Sequence, residues 1–196
     1  MVRIAQSWGD AANVAGVFIA RGQLSTPLTH FPGLEALQRG AIDLDEYLEG
    51  LRNFLATATL DEALRVHLAI LLEPYAGTLE LVREMEATGV VTACLSNTNE
   101  PHWEVMSESG RFPNIARLQF AALSHRLRLE KPQPEIYREL ERMVGTAGEE
   151  VAFFDDSPVN VQAARALGWN AETIDPAADP AAQIRRSLAQ RGLNTR

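Results

Sequence analysis

Two carboxylates stand side by side in the run VAFFDDSPVN, residues 151–160, directly after four apolar residues. Adjacent like charges at the end of a buried strand repel each other and lose hydration, a cost that a neutralising cation removes. Oxygen ligands with no neighbouring histidine or thiol suit a hard cation, and Mg²⁺ is the default beside phosphate. Asn160, four residues beyond Asp156, can orient a ligand or a metal-bound water. Lys131 opens the segment KPQPEIY and supplies a point charge for a phosphate or a carboxylate. Ser96-Asn97-Thr98 follows the run VVTACL, and the Ser96 hydroxyl with the N–H groups after it can hold phosphoryl oxygens. Taken singly these are ordinary features: an Asp pair caps a turn, S-N-T makes a turn, and a lysine before proline is surface charge. Their order and shared position after apolar runs give them weight.

The elements that must position these groups are read from periodicity. Residues 44–58 and 60–73 carry apolar side chains at three- and four-residue intervals, with Asp45 and Asp61 near their starts, and predict two helices. Beyond Pro74 and Gly77 the rhythm changes. Helical patterns at 78–88, 134–144 and after Asp156 alternate with short apolar runs at 90–96, 117–123, 151–155 and 170–175. That alternation predicts an α/β fold, a Rossmann-like parallel sheet with helices on both faces. Ligands in such sheets bind beyond the carboxyl ends of the strands, where Ser96, Asp155, Asp156 and Lys131 all fall.

Composition narrows the function. The 196 residues are 46% hydrophobic and 22% charged, an ordinary globular balance. A formal net charge of −8 argues against a nucleic-acid partner, which would need a basic face. The single cysteine, Cys94, forms no intrachain disulfide and reads as a small buried hydrophobe in a reducing, cytoplasmic setting. No run is long and apolar enough for a membrane span. His102, in NEPHW, reads as a surface histidine near the mouth of the site. Nothing in the sequence selects an oligomeric state.

The ordered set LSNT, KPQPEIY and VAFFDDSPVNVQAARALGW resembles motifs two, three and four of the haloacid dehalogenase superfamily of hydrolases. The resemblance covers roughly residues 73–175. Within subfamily IA it is nearest to phosphatases of the glucose-1-phosphatase type and to the phosphatase domain of soluble epoxide hydrolase. It implies a helical cap over residues 1–72 and an α/β core over 73–196. It also implies a Mg²⁺-dependent phosphatase acting on a small phosphorylated metabolite such as a sugar phosphate. Asp156 would be the principal Mg²⁺ ligand and Asp155 a second or outer-shell ligand. Ser96 and Asn97 would bind the phosphoryl group, Lys131 would steady the nucleophile, and Asn160 would support the metal site where many relatives carry an aspartate. Dehalogenases of the superfamily have serine and asparagine at the Asp155 and Asp156 positions, so the acidic pair favours phosphoryl chemistry over dehalogenation of 2-haloacids.

One motif of that family is missing. Its members open with a central strand ending in D-x-D, whose first aspartate attacks phosphorus and whose second is the general acid and base. This chain begins MVRIAQSWGD, and its one D-x-D, Asp43-Leu44-Asp45, reads as the charged start of a helix. No nucleophile is therefore assigned, and the first core strand is expected to be absent from between the strands ending at Ser96 and Asp155. The buried side chains of such a strand are worth about 1.5–3 kcal/mol each. Two expectations follow: a natural start one strand earlier, or a catalytically dead member that serves as a binding or interaction protein.

Overall fold

The computed structural model describes residues 2–193. A short strand β1 (Val2–Ile4) leads into four helices, α1 (Trp8–Ala15), α2 (Pro32–Gln38), α3 (Leu44–Leu55) and α4 (Leu60–Leu68). Each of α1, α3 and α4 begins at a side-chain cap: Ser7, Asp43 and Thr59 accept the backbone N–H of Asp10, Glu46 and Glu62. Their apolar faces enclose one cluster that includes Trp8, Tyr47, Leu51, Leu55 and Val66. Trp8, Phe31 and Phe54 meet there with ring centroids 5.1–6.2 Å apart.

Two of these helices end earlier than their periodicity predicts. The helix expected over 44–58 stops at Leu55, where Ala56 turns left-handed at φ 57°. The helix expected over 60–73 stops at Leu68. Residues Leu71–Pro74 form β2 instead, paired antiparallel with β1. Pro74 has no N–H to extend a helix, and the backbone of β1 offers partners that a longer helix would forgo.

From Gly77 onward strand and helix alternate. The elements are α5 (Thr78–Thr88), β3 (Ala93–Ser96), α6 (Glu100–Glu108), α7 (Pro113–Ala116), β4 (Phe120–Leu123), α8 (Ser124–Leu127), α9 (Pro134–Val144), β5 (Ala152–Asp155), α10 (Pro158–Ala166), β6 (Asn170–Thr173) and α11 (Pro180–Gln190). The fold is α/β, with parallel strands covered by helices. One apolar cluster joins Leu95, Ala122, Phe153 and Ala171 of all four strands to Ile136, Tyr137 and Leu140 of α9. A second places Leu81 and Met85 of α5 with Ile184 and Leu188 of α11, against Phe154. No helix among the described residues is long and apolar enough to cross a membrane.

The sheet itself is interrupted. β3 pairs in parallel with β4, and β5 in parallel with β6, but no backbone hydrogen bond joins β3 to β5 among the described residues. The register shows which groups are left over. Thr92 accepts from Phe120, so Thr92, Cys94 and Ser96 turn their backbone groups to β4, while Ala93 and Leu95 turn theirs away. Val151 and Asp155 accept from Asn170 and Ile174, so Ala152 and Phe154 likewise face away from β6. Hydrogen exchange resolved by residue checks this: the Leu95 and Phe154 amides should exchange at least about tenfold faster than those of Cys94 and Phe153. Equal protection would mean that the two pairs share a ladder.

Candidate active site

The polar groups picked out above collect where β3 and β5 end. Asp155 closes β5 and is buried, at 7% side-chain exposure. An ionised carboxylate there needs donors, and three arrive. Lys131 Nζ, itself 11% exposed, lies 2.6 Å from Asp155 Oδ2. The Ser157 N–H donates to Oδ1 at 2.9 Å, and Asn160 Nδ2 donates to the same oxygen at 3.0 Å. Asn160 sits in the first turn of α10, and its carbonyl accepts the Tyr137 hydroxyl at 3.0 Å. Burial, and then the charge of Asp155, push the Tyr137 phenol above its ordinary range.

Asn97 holds the other side of the lysine. Its Nδ2 donates to the Lys131 carbonyl at 3.0 Å, and its Oδ1 accepts the Lys131 N–H at 2.9 Å. Both polar atoms of the amide are thus engaged with the backbone N–H and C=O of one residue. The side chain expected to bind phosphate is a strut for Lys131, which leaves the Asn97 backbone as its means of touching a phosphoryl group. The result is a continuous bridge from the loop after β3, through Lys131, to the end of β5. The Lys131 ammonium also lies 5.8 Å from the centre of the Phe153 ring.

Ser96 and Asp156 stand outside that bridge. Ser96 ends β3, opposite Leu123 of β4, and is half-buried. Asp156 is exposed, and its carboxylate takes part in no hydrogen bond or ion pair among the described residues. The two neighbours therefore differ: Asp155 is held by three donors, while the Asp156 carboxylate is open to a ligand. Magnesium characteristically uses one or two carboxylates and keeps several waters, and an exposed Asp156 beside a hydrogen-bonded Asp155 fits that demand. Asp43, from the D-x-D at 43–45, is the N-cap of α3, and Asp45 lies in its first turn.

Sequence reading missed a buried polar set behind this edge. Ser124 accepts the Thr98 N–H at 2.9 Å and reaches the Gln38 carbonyl at the end of α2 at 2.6 Å. Close packing accompanies that contact, for a Cβ on Gly40 would lie 2.6 Å from the His125 carbonyl. Asn99 is the N-cap of α6, accepting the His102 N–H at 3.1 Å. His102 is buried, contrary to its reading as a surface residue, because its ring turns toward α4 and lies 2.8 Å from the His67 carbonyl. The signal for Asn99 was available, since an Asn directly before a helical run with an acidic first residue is an N-cap pattern. The Ser124, His67 and His102 contacts join residues 26 to 86 positions apart and leave no local signature.

The model of haloacid dehalogenase-like hydrolases matches residues 3–168 of this chain. The chain belongs to that family. The haloacid dehalogenase-like architecture recurs in solved structures. A predicted HAD-like hydrolase from Porphyromonas gingivalis aligns with a TM-score of 0.76 at 20% identity, over 95% of this chain and 92% of its own. A HAD family enzyme from Bacteroides thetaiotaomicron, in a magnesium complex, aligns with a TM-score of 0.76 at 21% identity, over 94% and 93%. An L-2-haloacid dehalogenase aligns with a TM-score of 0.63 at 19% identity, over 91% and 83%. No curated protein matches the sequence.

Because Lys131 and Asp155 are buried together, removing one strands the other. Lys131→Met should lower the unfolding free energy by about 3 kcal/mol, measured by urea denaturation. Asp155 keeps its bonds from Ser157 and Asn160, which places the loss toward the lower end for a broken buried pair. A change below about 0.5 kcal/mol would show the pair to be dispensable.

Proposed function

We propose that this hydrolase-family chain carries the cation- and phosphoryl-binding groups of a Mg²⁺-dependent phosphatase for a small phosphorylated metabolite, and that residues 1–196 do not themselves provide the carboxylate that attacks phosphorus. The observation that carries this reading is the contrast within the acidic pair: Asp156 is exposed and unengaged, beside an Asp155 locked to Lys131.

Asp156 would hold the metal, with Asp155 and Asn160 shaping its surroundings. Bound magnesium supplies charge neutralisation for the phosphoryl oxygens. The Ser96 hydroxyl would donate to a phosphoryl oxygen, and the Lys131 ammonium would offset its charge without leaving Asp155. The Asn97 amide fixes the backbone from which that ammonium projects. The step these residues do not provide is nucleophilic attack, because Asp155 is held by Lys131, Ser157 and Asn160 and Asp156 is assigned to the metal. The chain as it stands is therefore a binding protein for phosphate and magnesium. The magnesium complex of the Bacteroides relative supports the metal assignment.

Calorimetry with inorganic phosphate, with and without Mg²⁺, tests the site, and release of p-nitrophenol from p-nitrophenyl phosphate tests turnover. Phosphate binding should require Mg²⁺, weaken at least about tenfold in Asp156→Asn, and be unaccompanied by turnover. Turnover that depends on Mg²⁺ would overturn the binding-protein reading. Phosphate binding indifferent to Mg²⁺ would overturn the metal assignment, and halide release from a 2-haloacid without metal would replace it with dehalogenation.

A further inference from the structure

Between the N-terminal helices and the loop that follows Ser96 lies a buried polar group with no part in the site described above. Tyr47 of α3, His67 of α4, and Asn99 and His102 at the start of α6 are joined side chain to side chain. The Tyr47 hydroxyl is 2.9 Å from His67 Nδ1, and His67 Nε2 is 3.1 Å from Asn99 Oδ1. Asn99 Nδ2 is 3.3 Å from His102 Nδ1, and His102 Nε2 is 2.8 Å from the His67 carbonyl. The two imidazoles stack face to face, with centroids 4.0 Å apart and planes 5° from parallel. His67 is 0% exposed and His102 5%.

The hydrogen positions follow by elimination. The His102 backbone N–H can only donate, so the Asn99 atom it meets is the oxygen, and the amide is oriented. That oxygen also faces His67 Nε2, which must carry a hydrogen. His67 Nδ1 then accepts from Tyr47 while the ring is neutral. The His67 carbonyl can only accept, so His102 Nε2 carries a hydrogen, and His102 Nδ1 accepts from the Asn99 amide. Each of these contacts then pairs one donor with one acceptor, provided both rings are neutral.

A proton added to His102 Nδ1 would face the Asn99 NH₂ group, donor against donor. Rotating the amide does not help, because its NH₂ would then face both the His102 N–H and His67 Nε2–H. A proton on His67 Nδ1 would end the bond donated by Tyr47. Either cation would also be buried against a stacked imidazole. The titratable groups that face one another here are Tyr47 from α3, His67 from α4 and His102 from α6. On α4, Arg65 turns to Asp61, and Asp10 of the adjacent α1 is engaged with Ser7. No carboxylate among the described residues bonds to either ring to offset a proton.

We propose that this imidazole stack is a proton-sensitive latch between the N-terminal helices and the loop carrying Ser96, closed when both rings are neutral and released by acid. The second joint, between Ser124 and Gln38 and between Arg39 and Glu130 (3.2 Å), has no part in the stack and holds the helices when the latch opens. Burial pulls His102 down to about 4, and burial followed by the neighbouring His102 pulls His67 well below its ordinary value. The sign follows. A folded-state value below the unfolded 6.5 means that the open form takes up protons first, so the latch is fully stable above about pH 6.5 and weakens as pH falls toward 4.

Hydrogen exchange, corrected for the intrinsic pH dependence of exchange, tests this on the whole chain. Opening of Leu60–Leu68 and of the first turn of α6 should rise at least about tenfold between pH 6 and pH 5, one power of ten per proton taken up. Helix α9 should keep its protection over that range. Replacing both rings, as His67→Gln with His102→Gln, should remove the pH dependence. The proposal is overturned by pH-independent opening, by loss of α9 protection in parallel, or by the same dependence in the double variant. Should that variant not fold, an NMR titration of the wild-type imidazoles decides. Both rings must ionise together with the opening, and a ring that titrates while the latch stays closed overturns the proposal.

Discussion

The buried ion pair between Lys131 and Asp155 is where the two halves of the sheet meet. Elsewhere in the molecule, neighbouring strands are held by ladders of backbone hydrogen bonds. Between β3 and β5 the polar connection runs instead through side chains, from Asn97 to the Lys131 peptide and from the Lys131 ammonium to Asp155. A buried pair of this kind offsets its own desolvation only if the remaining polar atoms are satisfied. Ser157 and Asn160 provide that for Asp155, and Asn97 does so for the lysine backbone. The apolar face of α9 packs into the cluster that joins both strand pairs.

This arrangement ties structure to chemistry. The groups that give the strand ends their capacity to bind an anion or a cation are the same ones that hold the ends at their separation. Asp155 therefore has a structural duty, which leaves Asp156 as the carboxylate open to a ligand. Two adjacent aspartates with the same chemistry are separated in role by the direction in which each leaves the strand, one inward to Lys131 and one outward to solvent. The inner edges of β3 and β5 have no backbone partners among the described residues, and α9, α5 and α11 cover those strands.

Much of this was legible in the sequence because it is local. Apolar runs mark β3 to β6, and α9 was read at residues 134–144, where Pro134 opens it and Gly145 closes it. Ser96, Lys131, Asp155 and Asp156 were picked out because a parallel sheet delivers its strand ends to one side. The use of each group was less legible. Asn97 could be placed at the site, but its amide is spent on a peptide 34 residues away. His102 was misread because a lone histidine in a polar stretch resembles a surface residue, and only its stacking on His67 shows otherwise. The early end of α4 was hidden too, since the partner of β2 is β1, far back at the start of the sequence.

The central claim is that Asn97, Lys131 and Asp155 act as one mechanical unit. A double-mutant cycle in unfolding free energy, with Asn97→Ala and Asp155→Asn, tests it most directly, because those two residues are connected through Lys131. A coupling of at least about 0.5 kcal/mol is predicted. Strictly additive effects would contradict the account and show that the two strand pairs are held together by helix packing alone.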